Sequence, residues 1–299
     1  MVRYRPKISL VTPSLNQAQF LEATIQSILS QNYPNLEYII IDGGSTDGSL
    51  EIIKKYESNL HFWCSEPDEG QYDAINKGFA HSTGEIKAWL NSDDMQYPWA
   101  LRTVASIMSE LPQVEWLTTL SPGFWDWQGF CTGFASIPGY SREAFLDSCY
   151  LPGSKRATGW VQQESTFWRH SLWEKVGSSI STKFNFAGDF DLWTRFYLHT
   201  DLYGTFSPLG GFRTQINQKS FTMEKYYLEA EKSLSAMQES LNWSPKLGRS
   251  VSYKLKLNEI PKIRKITEGI YSYVGKRIVR RKSNLPDSFW DIENYRFFL

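Results

Sequence analysis

Carboxylates stand close behind two apolar segments in the first third of the chain. Asp93 and Asp94 follow the apolar residues 85–90, and Asp42 follows the apolar residues 36–41. If both segments are strands of an open parallel sheet, their carboxyl ends face one crevice, where such folds bind ligands. Carboxylates gathered in a crevice favour a cation. The spacing therefore predicts an acidic, cation-binding site at one edge of a sheet.

Each of these carboxylates also has a structural interpretation. Asp is common at helix N-termini, so Asp93 and Asp94 would equally suit the start of a helix over residues 98–110. Asp42 would equally close an Asx-turn before the glycines that follow it. Both interpretations stay open at the level of sequence.

Composition excludes several other classes of protein. A chain of 299 residues with 41% hydrophobic and 21% charged residues can bury a large core, as one big domain or one and a half. Its formal net charge of +0 argues against nucleic acid as the main partner. The three cysteines lack CxxC spacing, which supports neither a disulfide framework nor a zinc site. With no signal peptide or spanning segment evident, we expect a cytoplasmic protein.

Strand and helix patterns alternate over the first 120 residues. Apolar runs at residues 7–13, 36–41, 61–64 and 85–90 are each followed by residues at helical spacing, which predicts an α/β fold with a mostly parallel sheet. Residues 121–165 are rich in aromatic residues, glycine and proline, and are expected to form loops and edge strands over the crevice. Further helices are expected to begin at Asp189 and to cover residues 223–241.

The end of the chain is basic. Ile260, Ile263, Ile266, Ile270 and Tyr273 recur at helical spacing, and Val274, Ile278 and Val279 stand beside Arg277, Arg280 and Arg281. We predict a helical, basic extension over residues 223–299, following a larger unit with halves at 1–120 and 121–222. Such a helix would either lie on an anionic membrane surface or pack on that unit.

Four ordered motifs in the first 94 residues resemble those of family 2 glycosyltransferases. They are Val11-Thr12-Pro13-Ser14-Leu15-Asn16, Ile41-Asp42-Gly43-Gly44-Ser45-Thr46-Asp47-Gly48-Ser49, Ser65-Glu66-Pro67-Asp68 with Gln71 to Gly78, and Asn91-Ser92-Asp93-Asp94. A fifth match covers Asp189 to Arg195. The resemblance extends over roughly residues 7–220, and the basic end has no counterpart in these motifs.

The resemblance implies a GT-A fold, with a Rossmann-like nucleotide-binding sheet, and an inverting transfer of a hexosyl or N-acetylhexosaminyl group. The donor would be a nucleotide sugar, with UDP expected, and the cofactor a divalent metal, Mn²⁺ or Mg²⁺. The acceptor would be a glycan or lipid-linked glycan in polysaccharide assembly. An enzyme with this activity would be cytoplasmic, and it would lie peripherally at the inner face of the membrane if the basic end binds lipid.

Roles follow residue by residue from the same motifs. Asp94, with Asp93, is the expected metal ligand, and Asp189 the expected catalytic base. The donor would contact Thr12, Pro13, Ser14, Asn16, Asp42, Gly44, Asp68, Asp73, Lys77, Asn91 and Asp93. The acceptor would contact Trp160, Gln163 and Glu164.

Several positions keep an alternative or depart from the family pattern. Asp73 and Lys77, four apart on a predicted helix, would also form a simple salt bridge. Asp189 would also serve as an N-terminal helix charge. Gly188 stands where many relatives have a second acid, and Gln215 where relatives commonly carry His.

Two rival functions remain at this level. A sugar-phosphate nucleotidyltransferase would share the sheet, metal and nucleotide, but residues 12–19 lack its glycine-rich basic loop. A non-catalytic nucleotide-sugar-binding protein is the other rival, against which the presence of both Asp94 and Asp189 counts.

Overall fold

The structure is a computed structural model that describes residues 4–215, 223–246, 272–281 and 289–298. Most of the predicted basic helix, including Ile260, Ile263, Ile266 and Ile270, lies outside the described residues. Residues 216–220, which follow Gln215, also lie outside them.

The first part of the chain alternates strands and helices as predicted. Its strands are β1 (Ile8–Ser14), β2 (Leu36–Asp42), β3 (Phe62–Ser65), β4 (Ile86–Trp89) and β5 (Met95–Gln96), and its helices are α1 (Ala18–Leu29), α2 (Ser49–Tyr56), α3 (Gln71–Ala80) and α4 (Ala100–Glu110). Leu10 and Val11 are neighbours in sequence but pack into different apolar clusters, and the same is true of Ile39 and Ile40. Side chains alternate across a strand, so a continuous apolar run is what a sheet covered on both faces requires.

The second part of the chain is less regular. Its elements in order are β6 (Trp116–Thr119), β7 (Gly123–Trp125), β8 (Cys131–Phe134), α5 (Arg142–Leu146), β9 (Phe167–Arg169), α6 (His170–Lys175), α7 (Gly188–His199), β10 (Tyr203–Thr205), β11 (Gly210–Arg213), α8 (Met223–Ser240), β12 (Tyr273–Arg280) and β13 (Trp290–Phe297). Within residues 121–165, where loops and edge strands were expected, β8 is an edge strand, whereas β7 pairs on both sides. The short helix α5 has no clear periodicity in the sequence.

The described strands form two sheets. The larger has nine strands in the order β13-β12-β10-β6-β9-β4-β1-β2-β3. Its pairs are parallel except on both sides of β9 and between β12 and β13. The smaller sheet has the order β5-β11-β7-β8. The predicted α/β class with a mostly parallel sheet is confirmed.

The C-terminal extension is only partly helical, which corrects the prediction. Helix α8 forms as expected, but Val274, Ile278 and Val279 belong to strand β12, which pairs with β10 and β13. The spacing of apolar residues reflects only neighbours along the chain. It does not show that one edge of β10 has backbone groups that can pair with another strand. The division of the chain at residue 222 stays a prediction.

The charges on β12 are largely paired. Lys276 Nζ lies 2.8 Å from Asp201, and Arg277 Nε lies 2.8 Å from Glu293 on β13. These pairs reduce the positive charge that the described part of the extension offers to an anionic surface. Among the described residues, no helix combines the length and the apolar character needed to cross a membrane.

Candidate active site

A cavity of about 430 Å³ opens at the carboxyl ends of β1 and β4. It gathers predicted residues from six segments that are distant in sequence. Those that line it are Pro13, Ser14, Asp68, Asn91, Asp93, Asp94, Gln163, Glu164, Asp189 and Gln215. An acidic crevice therefore exists beyond the end of β4, but Asp42 at the end of β2, which was expected to share it, does not line it.

Seven predicted residues do not line this cavity, namely Thr12, Asn16, Asp42, Gly44, Asp73, Lys77 and Trp160. Thr12 is fully buried, and its hydroxyl lies 3.1 Å from the Tyr38 hydroxyl. Asn16 ties two loops together instead, because its side-chain oxygen accepts a 2.9 Å bond from the Thr46 N–H. The Trp160 carbonyl accepts a 3.2 Å bond from the Tyr140 hydroxyl, and its ring is partly buried against the core.

Asp42 forms the Asx-turn that was its structural alternative. Its buried carboxylate accepts the N–H groups of Gly44 at 3.1 Å and Ser45 at 2.9 Å, and also the Ser65 hydroxyl at 2.7 Å. Gly44 has a φ of 84°, a conformation that glycine adopts without strain. Asp42 therefore shapes the loop beside the cavity.

Asp73 and Lys77 form the predicted i,i+4 salt bridge, with the carboxylate 3.3 Å from Nζ. Lys77 also lies 3.2 Å from Glu66. Both pairs are partly exposed, and exposed pairs of this kind contribute little to stability. A bound diphosphate would have to compete with these two acids for the ammonium group.

Asp94 is 1% exposed and is held from several sides. It accepts the backbone N–H of Arg213 at 2.9 Å and the amide of Asn91 at 3.2 Å. Burial, together with the nearby charges of Glu164 and Asp93, raises the pKa of Asp94 well above its usual range. The helix-capping alternative is wrong, because α4 begins at Ala100 with no acid in its first turn.

Asn91 connects the acidic pair to both walls of the cavity. Its side-chain oxygen accepts a 2.7 Å bond from Gln71, while its amide donates to Asp94 and, at 3.4 Å, to Gln163. Gln163 in turn donates to the Trp89 carbonyl at 2.6 Å. An Asp in place of Asn91 would lose this donation and bring another negative charge beside Asp94.

Asp189 lies in the first turn of α7. Its two carboxylate oxygens are 3.3 Å and 3.2 Å from the Tyr226 hydroxyl, which lies on α8. Burial raises the pKa of Asp189 to about 6. Burial likewise raises the pKa of Glu164 to about 7, with a contribution from the charge of Asp189. A carboxylate with such a pKa can accept a proton near neutral pH.

The absence of a second acid at Gly188 has a steric reason. A Cβ atom at this glycine would lie 2.7 Å from the ring of Tyr72, closer than real side chains approach. The Tyr72 hydroxyl donates a 2.9 Å bond to the Phe186 carbonyl, which holds the ring in place. Tyr72 thus occupies the space that a side chain at position 188 would need.

Several residues of the cavity wall were missed by the sequence reasoning, among them Leu15, Gln17, Gln71, Tyr72, Trp89, Phe186, Phe212 and Tyr226. Gln71 and Tyr72 fall within a quoted motif, so their position was available as a signal. Tyr226 carried no signal, because it is 37 residues from Asp189 and meets it only through the packing of α8 on α7.

The acidic residues of the cavity suit a divalent cation only if a bound ligand supplies further coordinating atoms. No group of three or more His, Cys, Asp or Glu side chains able to hold a metal ion occurs within the described ranges. Asp93 and Asp94 nevertheless lie together on the cavity wall, where burial and the charges of Glu164 and Asp93 raise the pKa of Asp94. A hard cation prefers such carboxylate oxygens and readily shares them with phosphate oxygens. The donor set therefore fits Mg²⁺ or Mn²⁺.

The chain matches known proteins in both sequence and structure. Residues 9–120 match the family model of Glycosyl transferase family 2. Over 97 residues the chain is 37% identical to the putative teichuronic acid biosynthesis glycosyltransferase TuaG of Bacillus subtilis, a match that covers 31% of this chain and 38% of TuaG. The matches to the first curated relatives span 34% to 38% of the length of those relatives.

Two solved structures resemble the whole fold. TarS of S. aureus, residues 1-349 in complex with UDP-GlcNAc, aligns with a TM-score of 0.57 and 15% identity over 88% of this chain and 73% of that chain. A mannosyltransferase from Pyrobaculum calidifontis, in complex with GDP-Man and Mn²⁺, aligns with a TM-score of 0.50 and 17% identity over 88% and 84%. Residues 9–120 are therefore similar to glycosyltransferase family 2, and the chain has a GT-A fold.

Proposed function

We propose that this protein transfers a sugar, with inversion, from a nucleotide-sugar donor to an acceptor hydroxyl during the assembly of a polysaccharide or other glycan. One observation carries the proposal: Asp189, Asp93 and Asp94 line a single cavity. Inverting transfer needs a base for the acceptor hydroxyl and a counter-charge for the departing diphosphate, and these carboxylates offer both.

Asp94 and Asp93 would hold a divalent cation. When bound, the cation supplies a positive charge that stabilises the diphosphate as it leaves. Asn91 holds Asp94 in place through its amide, and Gln215 donates to Asp93. Asp189 would accept the proton of the attacking hydroxyl, and its partly buried position keeps its proton affinity suited to that task.

The donor is proposed to be a UDP-sugar that carries a hexosyl or N-acetylhexosaminyl group. TarS is described in complex with UDP-GlcNAc, which supports this choice by analogy of fold. Pro13, Ser14 and Asp68 line the cavity on the side of β1 and β3, where a nucleoside would be expected. Gln163 and Glu164 are the proposed acceptor contacts, since they line the same cavity as Asp189.

A donor screen tests the function directly. UDP-, GDP- and dTDP-sugars would be incubated with the protein, with and without Mn²⁺ or Mg²⁺, and release of the nucleoside diphosphate measured. We expect hydrolysis of a UDP-sugar that requires the cation. If no donor is hydrolysed or transferred, yet a nucleotide sugar binds, the non-catalytic alternative is correct.

The pH profile should show the titration of Asp189. A base acts only when deprotonated, so kcat is expected to rise with pH through about 6, the raised pKa of this carboxyl, and to level off above it. The measurement is kcat at saturating donor and cation between pH 5 and pH 9. A profile that is flat through this range would contradict the assignment of Asp189 as the base.

Gln215→His should make the protein bind its activating metal ion more tightly. Gln215 lines the cavity and donates to Asp93, and an imidazole there would supply a nitrogen ligand that Mn²⁺ accepts. We expect a lower Mn²⁺ concentration at half-maximal activity. Gln215→Ala is the control, because it removes the amide without supplying a ligand. An unchanged Mn²⁺ titration in the His variant would remove this idea.

A further inference from the structure

We propose that helix α8 is a positioning element for the catalytic base, in which Tyr226 orients the Asp189 carboxylate and Glu229 holds the backbone that leads into it. Both residues lie outside residues 9–120, the segment that matches the family model. The inference rests on the proposed function, because orienting Asp189 matters to catalysis only if Asp189 takes the acceptor proton.

Tyr226 contacts the carboxylate itself. Its hydroxyl lies 3.3 Å from one oxygen of Asp189 and 3.2 Å from the other, so it is shared between them. Tyr226 also lines the same cavity as Asp189. A hydroxyl in this place restricts rotation of the carboxylate, and a base must be held within hydrogen-bond reach of the proton it removes.

Glu229 acts on the backbone before α7. One of its carboxylate oxygens accepts the N–H groups of Phe186 at 2.8 Å and Ala187 at 2.9 Å, and the other accepts the N–H of Asn185 at 3.1 Å. The N–H groups around the start of a helix lack partners within it, so an acid brought from another helix can satisfy them. Glu229 thereby fixes the chain that delivers Asp189 to the cavity.

Both contacts come from one face of α8. Positions 226 and 229 are neighbours on a helix surface, and the same face continues with Ala230 and Ser233. Ala230 is buried, and the Ser233 hydroxyl donates a 3.1 Å bond to Asp191 of α7. The face is thus packed along α7 over more than one turn, which gives the two polar contacts a rigid base.

The charges around Asp189 agree with a donating tyrosine. Glu164 from the segment before β9 and Glu229 from α8 both face Asp189, as do the hydroxyl-bearing rings of Tyr72 from α3 and Tyr226 from α8. Burial and the charge of Asp189 raise the pKa of Tyr226 well above its usual range, so its hydroxyl keeps its proton and donates. That hydrogen bond favours the charged form of Asp189. It therefore keeps the pKa of this carboxyl lower than burial alone would make it.

Tyr226→Phe tests the inference, with Tyr227→Phe as the matched control on the same helix. The Tyr227 hydroxyl bonds to exposed Glu231 at 2.7 Å and does not line the cavity. In the full-length protein, we expect Tyr226→Phe to lower kcat about tenfold at neutral pH, the effect of losing one hydrogen bond to a charged group. The KM for the donor should stay unchanged, and the acid limb of the pH profile should move up by about one unit. Tyr227→Phe should match the wild type.

The outcomes separate this inference from the proposed function. If Asp189→Asn abolishes turnover while Tyr226→Phe has the kcat and pH profile of the wild type, the positioning role is wrong and the base assignment stands. If Asp189→Asn is fully active, the proposed function itself fails. If Tyr226→Phe loses kcat without any shift of the acid limb, and its thermal unfolding midpoint drops, Tyr226 is structural and the inference is overturned.

Discussion

Asp189→Asn is expected to lower kcat by at least ~100-fold, the usual contribution of a positioned general base. The amide keeps the size of the side chain and can still bond to the Tyr226 hydroxyl, but it cannot accept the acceptor's proton at any accessible pH. Donor affinity should remain close to that of the wild type, because the base is needed for the acceptor and not for the nucleotide. Steady-state kinetics and calorimetric titration with the nucleoside diphosphate would measure the two effects.

Asp201→Asn provides the control for this substitution. Asp201 lies just beyond the other end of α7, pairs with Lys276 and does not line the cavity. It should retain both turnover and donor affinity. If Asp189→Asn weakens donor binding as much as it lowers kcat, Asp189 would be a structural charge at the start of the helix, which was its alternative interpretation.

Asp94→Ala is expected to abolish cation-dependent turnover. Removing this carboxylate takes away the proposed metal ligand and leaves the charge of the departing diphosphate uncompensated. Activity would be measured across a Mn²⁺ titration, and binding of Mn²⁺ alone by calorimetry in the presence of the nucleoside diphosphate. Full activity in this variant would exclude Asp94 as the metal ligand.

A second variant separates charge from folding at this position. Asp94 accepts the backbone N–H of Arg213, so the Ala variant also loses a buried hydrogen bond, at a cost of about 1–3 kcal/mol in stability. Asp94→Asn removes the charge and keeps an oxygen for that N–H, although the oxygen that accepts the Asn91 amide becomes an NH₂ group. We expect it to unfold closer to the wild-type temperature than the Ala variant and yet to be as inactive.

Local patterns were sufficient for the central part of the fold. The apolar runs at residues 7–13 and 36–41 predicted strands, and these form as β1 and β2. The residues at helical spacing that follow the apolar runs likewise form α1 to α4. The strand ends likewise identified Asp94 as part of a shared crevice, because neighbouring parallel strands must end at the same edge. The family match over residues 9–120 overlaps these same segments.

The same reasoning was less successful where a residue has a choice of partners. Asp42 and Lys77 stand in motifs that suggest ligand contacts, but Asp42 is enclosed by its own loop and Lys77 lies between two acids. A sequence gives the type of a side chain but not its hydrogen-bond partners. From the sequence alone, a charged residue that binds a ligand therefore looks the same as one with a structural role. The packing around each charge decides between them.

What the sequence by itself determined was the succession of strands and helices, the acidic crevice and the pair of Asp93 and Asp94 within it. Only the tertiary structure decided that Tyr226 meets Asp189, that Tyr72 fills the space beside Gly188, and that residues 273–280 form a strand. Periodicity arises from neighbours within a few residues, so it records which face of an element is buried. It does not record which distant element covers that face. The surroundings of the proposed base depend on such contacts between elements that are distant in sequence.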